Sequence, residues 1–134
     1  MSRILHLAPV AHFQSIPPDR PYLPIDYERD GFVHCTQGAG LLLRVANAFY
    51  KDMPGDFVVL VIDEGRLAAP VRYEPPSPVS GGEPIPGNVV LFPHVYGPIN
   101  RDAIVDIVGV RRDAQGTFTQ YERELDWHTD FPSV

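Results

Sequence analysis

Thiols are almost absent from this chain. Cys35 is the one cysteine in 134 residues, which excludes a disulfide within the chain and any zinc centre built from several thiolates. Positive charge is also scarce: the formal net charge is −6, and Arg111-Arg112 is the only place where two basic residues adjoin. Nucleic-acid affinity rests largely on clustered Lys and Arg meeting phosphates, so an extended nucleic-acid surface is not expected. A pocket with two or three basic groups, sized for a small phosphorylated ligand, survives that exclusion. No apolar run approaches the roughly 20 residues that span a bilayer, and the opening MSRILHLAPV is too short in apolar residues for a signal peptide. A cytoplasmic, non-membrane protein is the expectation. HExxH, GxSxG, GxGxxG and GxxxxGK[ST] are all missing, which removes the compact zinc pair, the hydrolase elbow, the dinucleotide crevice and the phosphate loop.

What the chain does have is 15 prolines and 11 glycines beside an ordinary 44% of hydrophobic residues. The length and apolar content predict one domain over residues 1–134, and the punctuation predicts long ordered loops between few regular elements. RILHLA (3–8) reads as a first strand with Ile4, His6 and Ala8 on one face and Leu5 and Leu7 on the other. VAHFQSI follows as a short helix with Pro9 at its first turn, and 17–30 as an ordered surface loop. GFVHCT (31–36) is a strand presenting Phe32, His34 and Thr36 together. Leu42, Val45, Ala46 and Phe49 then repeat at i, i+3, i+4 and i+7, one stripe of a helix over 38–51 with Thr36 as its candidate cap. FVVLVID is the most strand-like run and is predicted to be central. VRYEP, VVLFPHVYG, AIVDIVGV and FTQY supply further strands, and PSPVSGGEPIPGN (76–88) is a connector that serves as a lid or a linker. Trp127 in the tail packs back or meets a partner. The sum is an α+β domain with a mixed, mostly antiparallel sheet and one main helix.

The candidate chemistry gathers on histidines. His6, His34 and His94 each follow an extended segment beside a residue of fixed geometry (Pro9, Gly31, Pro93), and three strands of one sheet would bring them together. Each is equally readable as a half-buried imidazole bonded to a carbonyl or water. Gathered, they are the candidate catalytic residues. They suit hydrogen bonding to ribose hydroxyls, with Tyr22, Tyr27, Tyr50 and Tyr96 as flat walls for a nucleotide ring; a three-nitrogen metal site is the lesser alternative, and no metal is assigned. Asn100 either touches the ligand or caps the RDA turn. Glu74 is either the working acid or plain surface. Cys35 points away from His34 on its strand and reads as a small buried hydrophobe.

ILHLA with Tyr22, GFVHCT, VANAFY, VLVID, YE at 73–74 and FPHVYGPIN together resemble the bacterial domain-of-unknown-function family DUF952, over about residues 3–110, which leaves 111–134 as a C-terminal extension. That family is grouped by remote similarity with the ADP-ribosyltransferase-like fold, which holds NAD in a split mixed sheet. The resemblance implies NAD as cofactor, His6 on a ribose, His34 at the second-strand position, and His94 or Tyr96 where the third signature residue is found. Tyr22 or Tyr96 would stack on nicotinamide. The usual third residue is a glutamate, and FPHVYG offers a histidine instead. Three functional classes stand: an NAD-dependent ADP-ribosyltransferase-like or related transferase, a noncatalytic module for a nucleotide or phosphorylated metabolite, and a structural or interaction protein whose histidines are simply packed. Oligomeric state and acceptor are not encoded in any of these features.

Overall fold

The computed structural model describes residues 2–75 and 91–125. The 76–88 connector and Trp127 lie outside the described residues. Seven strands and three helices are named here in chain order: β1 Arg3–Pro9, α1 Val10–Ser15, α2 Tyr27–Asp30, β2 Val33–His34, α3 Ala39–Phe49, β3 Phe57–Asp63, β4 Val71–Glu74, β5 Phe92–Val95, β6 Ile104–Arg112 and β7 Phe118–Tyr121. The strands form two sheets, of order β1-β3-β6-β7 and β2-β5-β4, and every pairing between them is antiparallel. The single sheet expected to gather the three histidines is therefore two, with His6 in the larger and His34 and His94 in the smaller.

Alternation along the strands explains how the layers stack. Leu5, Leu7, Phe57, Val59 and Val61 point to one side of the larger sheet and pack with Leu42 and Ala46 of α3. Ile4, Ala8, Leu60 and Ile62 point to the other side and pack with Val33, Cys35 and Val95 of the smaller sheet. The larger sheet is thus covered on both faces, by a helix on one and by a second sheet on the other. That is why FVVLVID is apolar throughout rather than alternating. Leu60 and Ile62 are fully buried, each contributing about 1.5–3 kcal/mol of transfer free energy. His6 shares its face with Ile4 and Ala8 and so lies in the layer between the sheets.

Two local expectations are corrected. Residues 17–30 are not a surface loop throughout: Tyr22 is fully buried and exchanges backbone hydrogen bonds with Ile99 at 2.9 and 3.0 Å, and the segment ends in α2. Thr36 does not cap α3, because its backbone is drawn into a bridge with Leu5 (2.7 and 2.8 Å); the helix starts from Gly38 without a side-chain cap. Gly31 takes φ 81° and its N–H bonds to Tyr27, closing α2 with a left-handed residue.

The outer strand β7 is held by a side chain acting as a strand partner. Asn47 of α3 donates through Nδ2 to the Phe118 carbonyl at 3.0 Å, and the Phe118 N–H donates to Asn47 Oδ1 at 2.7 Å. Asn47→Ala strips Phe118, itself 2% exposed, of both partners. The expected loss is about 1–3 kcal/mol, read as a lower urea midpoint at constant slope; an unmoved midpoint would mean that water serves Phe118 equally well.

Candidate functional site

Between β1, the 22–34 segment and the C-terminal end of α3 lies a cavity of about 360 Å³ whose lining includes His6, Tyr22, Asp30, Phe32, His34 and Tyr50, with Ile25 and Met53 also in its wall. Ile25 and Met53 are exposed to solvent as well. The volume falls within the range of about 300–1,000 Å³ usual for small-molecule sites.

His6 is 6% exposed, and its Nδ1 lies 2.6 Å from the His34 carbonyl. A carbonyl only accepts, so the proton is on Nδ1 and Nε2 keeps its lone pair. Burial is the main influence on this ring; it outweighs the carbonyl bond and drops the pKa to about 4. The imidazole is neutral at physiological pH. Its Nε2 is buried without a hydrogen-bond partner, and so is the Tyr22 hydroxyl, whose pKa burial pushes well above the ordinary tyrosine value. Their rings lie 5.6 Å apart. An acceptor and a hydroxyl left unpaired in one buried region are costly unless something supplies the missing bonds.

Asp30 closes α2 and reaches back over Gly31, so that its Oδ2 accepts from His34 Nε2 at 2.8 Å and its Oδ1 from Arg29 Nε at 2.8 Å. The Asp30 side chain is 3% exposed. Burial opposes its charge, but the bonds from Arg29 and His34 prevail and hold its pKa below the ordinary aspartate value. An ionised carboxylate therefore borders the cavity.

A second histidine–carboxylate pair stands alongside. His94 is directly opposite His34 in the β2–β5 register, with ring centroids 5.6 Å apart. His94 Nδ1 donates to Glu74 Oε1 at 2.8 Å, and the Tyr96 hydroxyl donates to the same oxygen at 2.5 Å. Burial lowers the His94 pKa against the opposing pull of Glu74. The Tyr96 bond first, and His94 second, hold Glu74 below the ordinary glutamate value, while the same bond raises Tyr96. Phe32 separates the two pairs: it stacks on His94 at 4.0 Å and tilts against His34 at 4.6 Å and Tyr96 at 5.4 Å. Neither His94 nor Tyr96 is in the lining of the cavity.

Of the six candidate residues, the fold thus brings His6, Tyr22 and His34 to one cavity and sets His94 and Tyr96 behind its Phe32 wall. The fold places Asn100 apart from them. Its amide nitrogen donates to the Arg66 carbonyl (2.9 Å) and Asp102 (2.6 Å), and its oxygen accepts from the Ala68 N–H (2.9 Å). Tyr22 packs with His6, His12 and Phe13; Phe32, Tyr27 and Tyr50 add further aromatic faces to the lining. Cys35 is buried and its thiol pKa is pushed far up by burial, as a packing residue requires. Among the described residues no three His, Cys, Asp or Glu side chains cluster as metal ligands, and no helix is long and apolar enough to cross a membrane. Asp30 was not among the residues read from the sequence as site candidates, and Phe32 was placed only as sharing a face with His34. The signal for Asp30 was its place four residues before His34 across a glycine.

A family model described as "Protein of unknown function (DUF952)" matches residues 7–107. No curated protein matches. Among solved structures, the crystal structure of protein CC0527 from Caulobacter crescentus is similar at 16% identity and a TM-score of 0.69, covering 88% of this chain and 94% of that one. A double mutant of the same protein gives 15% identity at the same TM-score and coverage. At such identity the likeness bears on the fold.

Proposed function

Since this chain belongs to the DUF952 family, whose description assigns no activity, the site must speak for itself, and we propose that it binds NAD and transfers its ADP-ribosyl part. The observation that carries this is the pair of unpartnered buried groups, His6 Nε2 and the Tyr22 hydroxyl, in the lining of one cavity. A ribose hydroxyl is the complementary group: it donates to a neutral imidazole nitrogen and accepts from a phenol. The aromatic faces of Phe32, Tyr27 and Tyr50 suit a flat heterocycle beside it.

Bound NAD supplies the bond that breaks, between the ribose C1′ and the nicotinamide nitrogen, whose electron pair leaves with nicotinamide while an acceptor donates a pair to C1′ and gives up a proton. The chain's own part is to hold and to polarise. His6 and Tyr22 fix the ribose, and the Phe32 wall, backed by His94, fixes the ring. Asp30 keeps a negative charge where positive charge grows, in surroundings with little water to screen it, and only an interaction that strengthens along the reaction accelerates it. Asp30, rather than His94, is the carboxylate equivalent of the usual glutamate in this reading.

Calorimetric titration with NAD and ADP-ribose, together with a measurement of released nicotinamide, tests it. Binding with release, both lost in His6→Ala that remains folded, is the expected result. Binding without release would leave a noncatalytic nucleotide module, and no binding would leave packed histidines in a structural or interaction protein.

A further inference from the structure

We propose that Arg72 is the phosphate-binding residue of this site. The inference rests on the ribose-bearing ligand proposed above. Arg72 is exposed on β4 and stands opposite His94 in the β4–β5 register, as His94 stands opposite His34. Arg72, His94 and His34 thus form one row across three strands. Adjacent strands are about 4.8 Å apart, so the row runs roughly 10 Å from the cavity wall to the sheet edge. Side chains shorten that path. The Arg72 guanidinium lies 5.1 Å over the Tyr96 ring, and Tyr96 is 5.4 Å from Phe32, which lines the cavity.

The stack on Tyr96 leaves the guanidinium edges open. Among the described residues its nitrogens have no hydrogen-bond or ion-pair partner, unlike those of Arg29, held by Asp30, of Arg101, held by the carbonyls of Ile16 and Arg20, and of Arg112, held by those of Gly55 and Lys51; Arg20, Arg44 and Arg111 are equally open there, and the aromatic shelf is what sets Arg72 apart from them. A guanidinium held flat on an aromatic shelf presents its fork of donors in fixed geometry, and a phosphate is the group that matches that fork. The shelf is itself fixed, since the Tyr96 hydroxyl bonds to Glu74 and Glu74 to His94. The His94–Glu74 pair behind Phe32, buried at its histidine end, thereby gains a role: it positions the arginine. Glu74 is the negative group nearby and works against an anion, but its carboxylate already accepts from both Tyr96 and His94, which draws its charge toward those donors.

Nicotinamide mononucleotide and nicotinamide riboside differ by one phosphate and separate this residue from the cavity. In the unaltered protein the mononucleotide is expected to bind more tightly, by about tenfold, with an advantage that narrows as salt is raised. Arg72→Ala should erase the advantage and leave riboside affinity unchanged; Arg72→Lys should restore part of it, lacking the bidentate fork. An advantage that survives Arg72→Ala overturns the assignment, as does an equal loss for both ligands, which would make Arg72 a support of the cavity wall. If riboside binds and the phosphate adds nothing, Arg72 fails alone. If neither ligand binds the unaltered protein, the cavity reading falls and this one with it.

Discussion

Lowering the pH from 6.5 to 4 is expected to cost the fold about 3 kcal/mol through His6 alone. The unfolded chain takes up this proton near the ordinary histidine value of 6.5, whereas the native ring resists until about 4. Within that window the unfolded state holds more protons, so stability falls as pH falls. The contribution is complete above pH 6.5 and spent near pH 4. The groups facing His6 reinforce it: a charge on His34 or His12 repels a second one there. His94 is displaced in the same direction and adds to the same arm. Asp30, Glu74 and Asp106, all held below their ordinary values, withdraw their support at lower pH, as they protonate beneath 3.8 to 4.5.

Urea unfolding at steps between pH 7 and 4 measures the slope, and His6→Leu removes the titrating ring while keeping an apolar side chain of similar bulk. The variant loses the bond to the His34 carbonyl and starts less stable at pH 7. Its curve should nonetheless be flatter across the window by about the same 3 kcal/mol. Parallel curves for the two proteins would mean that the ring takes its proton as readily folded as unfolded, and the neutral acceptor at the heart of the site would go with it.

The largest effect on activity is expected from Asp30→Asn. The substitution keeps shape and an acceptor for His34 but removes the negative charge. Nicotinamide release should fall by about 100-fold or more, as when a preorganised electrostatic group is deleted, while NAD affinity changes little, because the ground state makes small demand on that charge. Rate and affinity falling together would assign Asp30 to binding. Unchanged release would reduce it to a brace between Arg29 and His34. The urea midpoint of the variant separates a lost charge from a lost fold.

Much of the architecture was legible because it is written in local periods. The stripe of α3 and the two faces of β1 follow from spacings of 3.6 and 2, and each element formed where those spacings placed it. FVVLVID lies inside its sheet, as an unbroken apolar run demands. Less local features were hidden. Strand β2 is two residues long, because beyond His34 the chain turns to bridge β1 at Thr36, and that bridge is what joins one sheet to the other. Tyr22 looked like a loop residue since its neighbours are prolines and charges; its burial depends on Ile99, 77 positions away in the chain.

The residue types and their alternation alone settled which groups share a face: Ile4 with His6 and Ala8, Phe32 with His34. They also settled that neither paired thiols nor a basic stripe is available. What those faces would meet was decided only when distant strands stacked. The second sheet closes over His6, gives its Nδ1 a carbonyl and leaves its Nε2 buried without a protein partner; a histidine's charge state is set by such neighbours, and neighbours are a property of the fold.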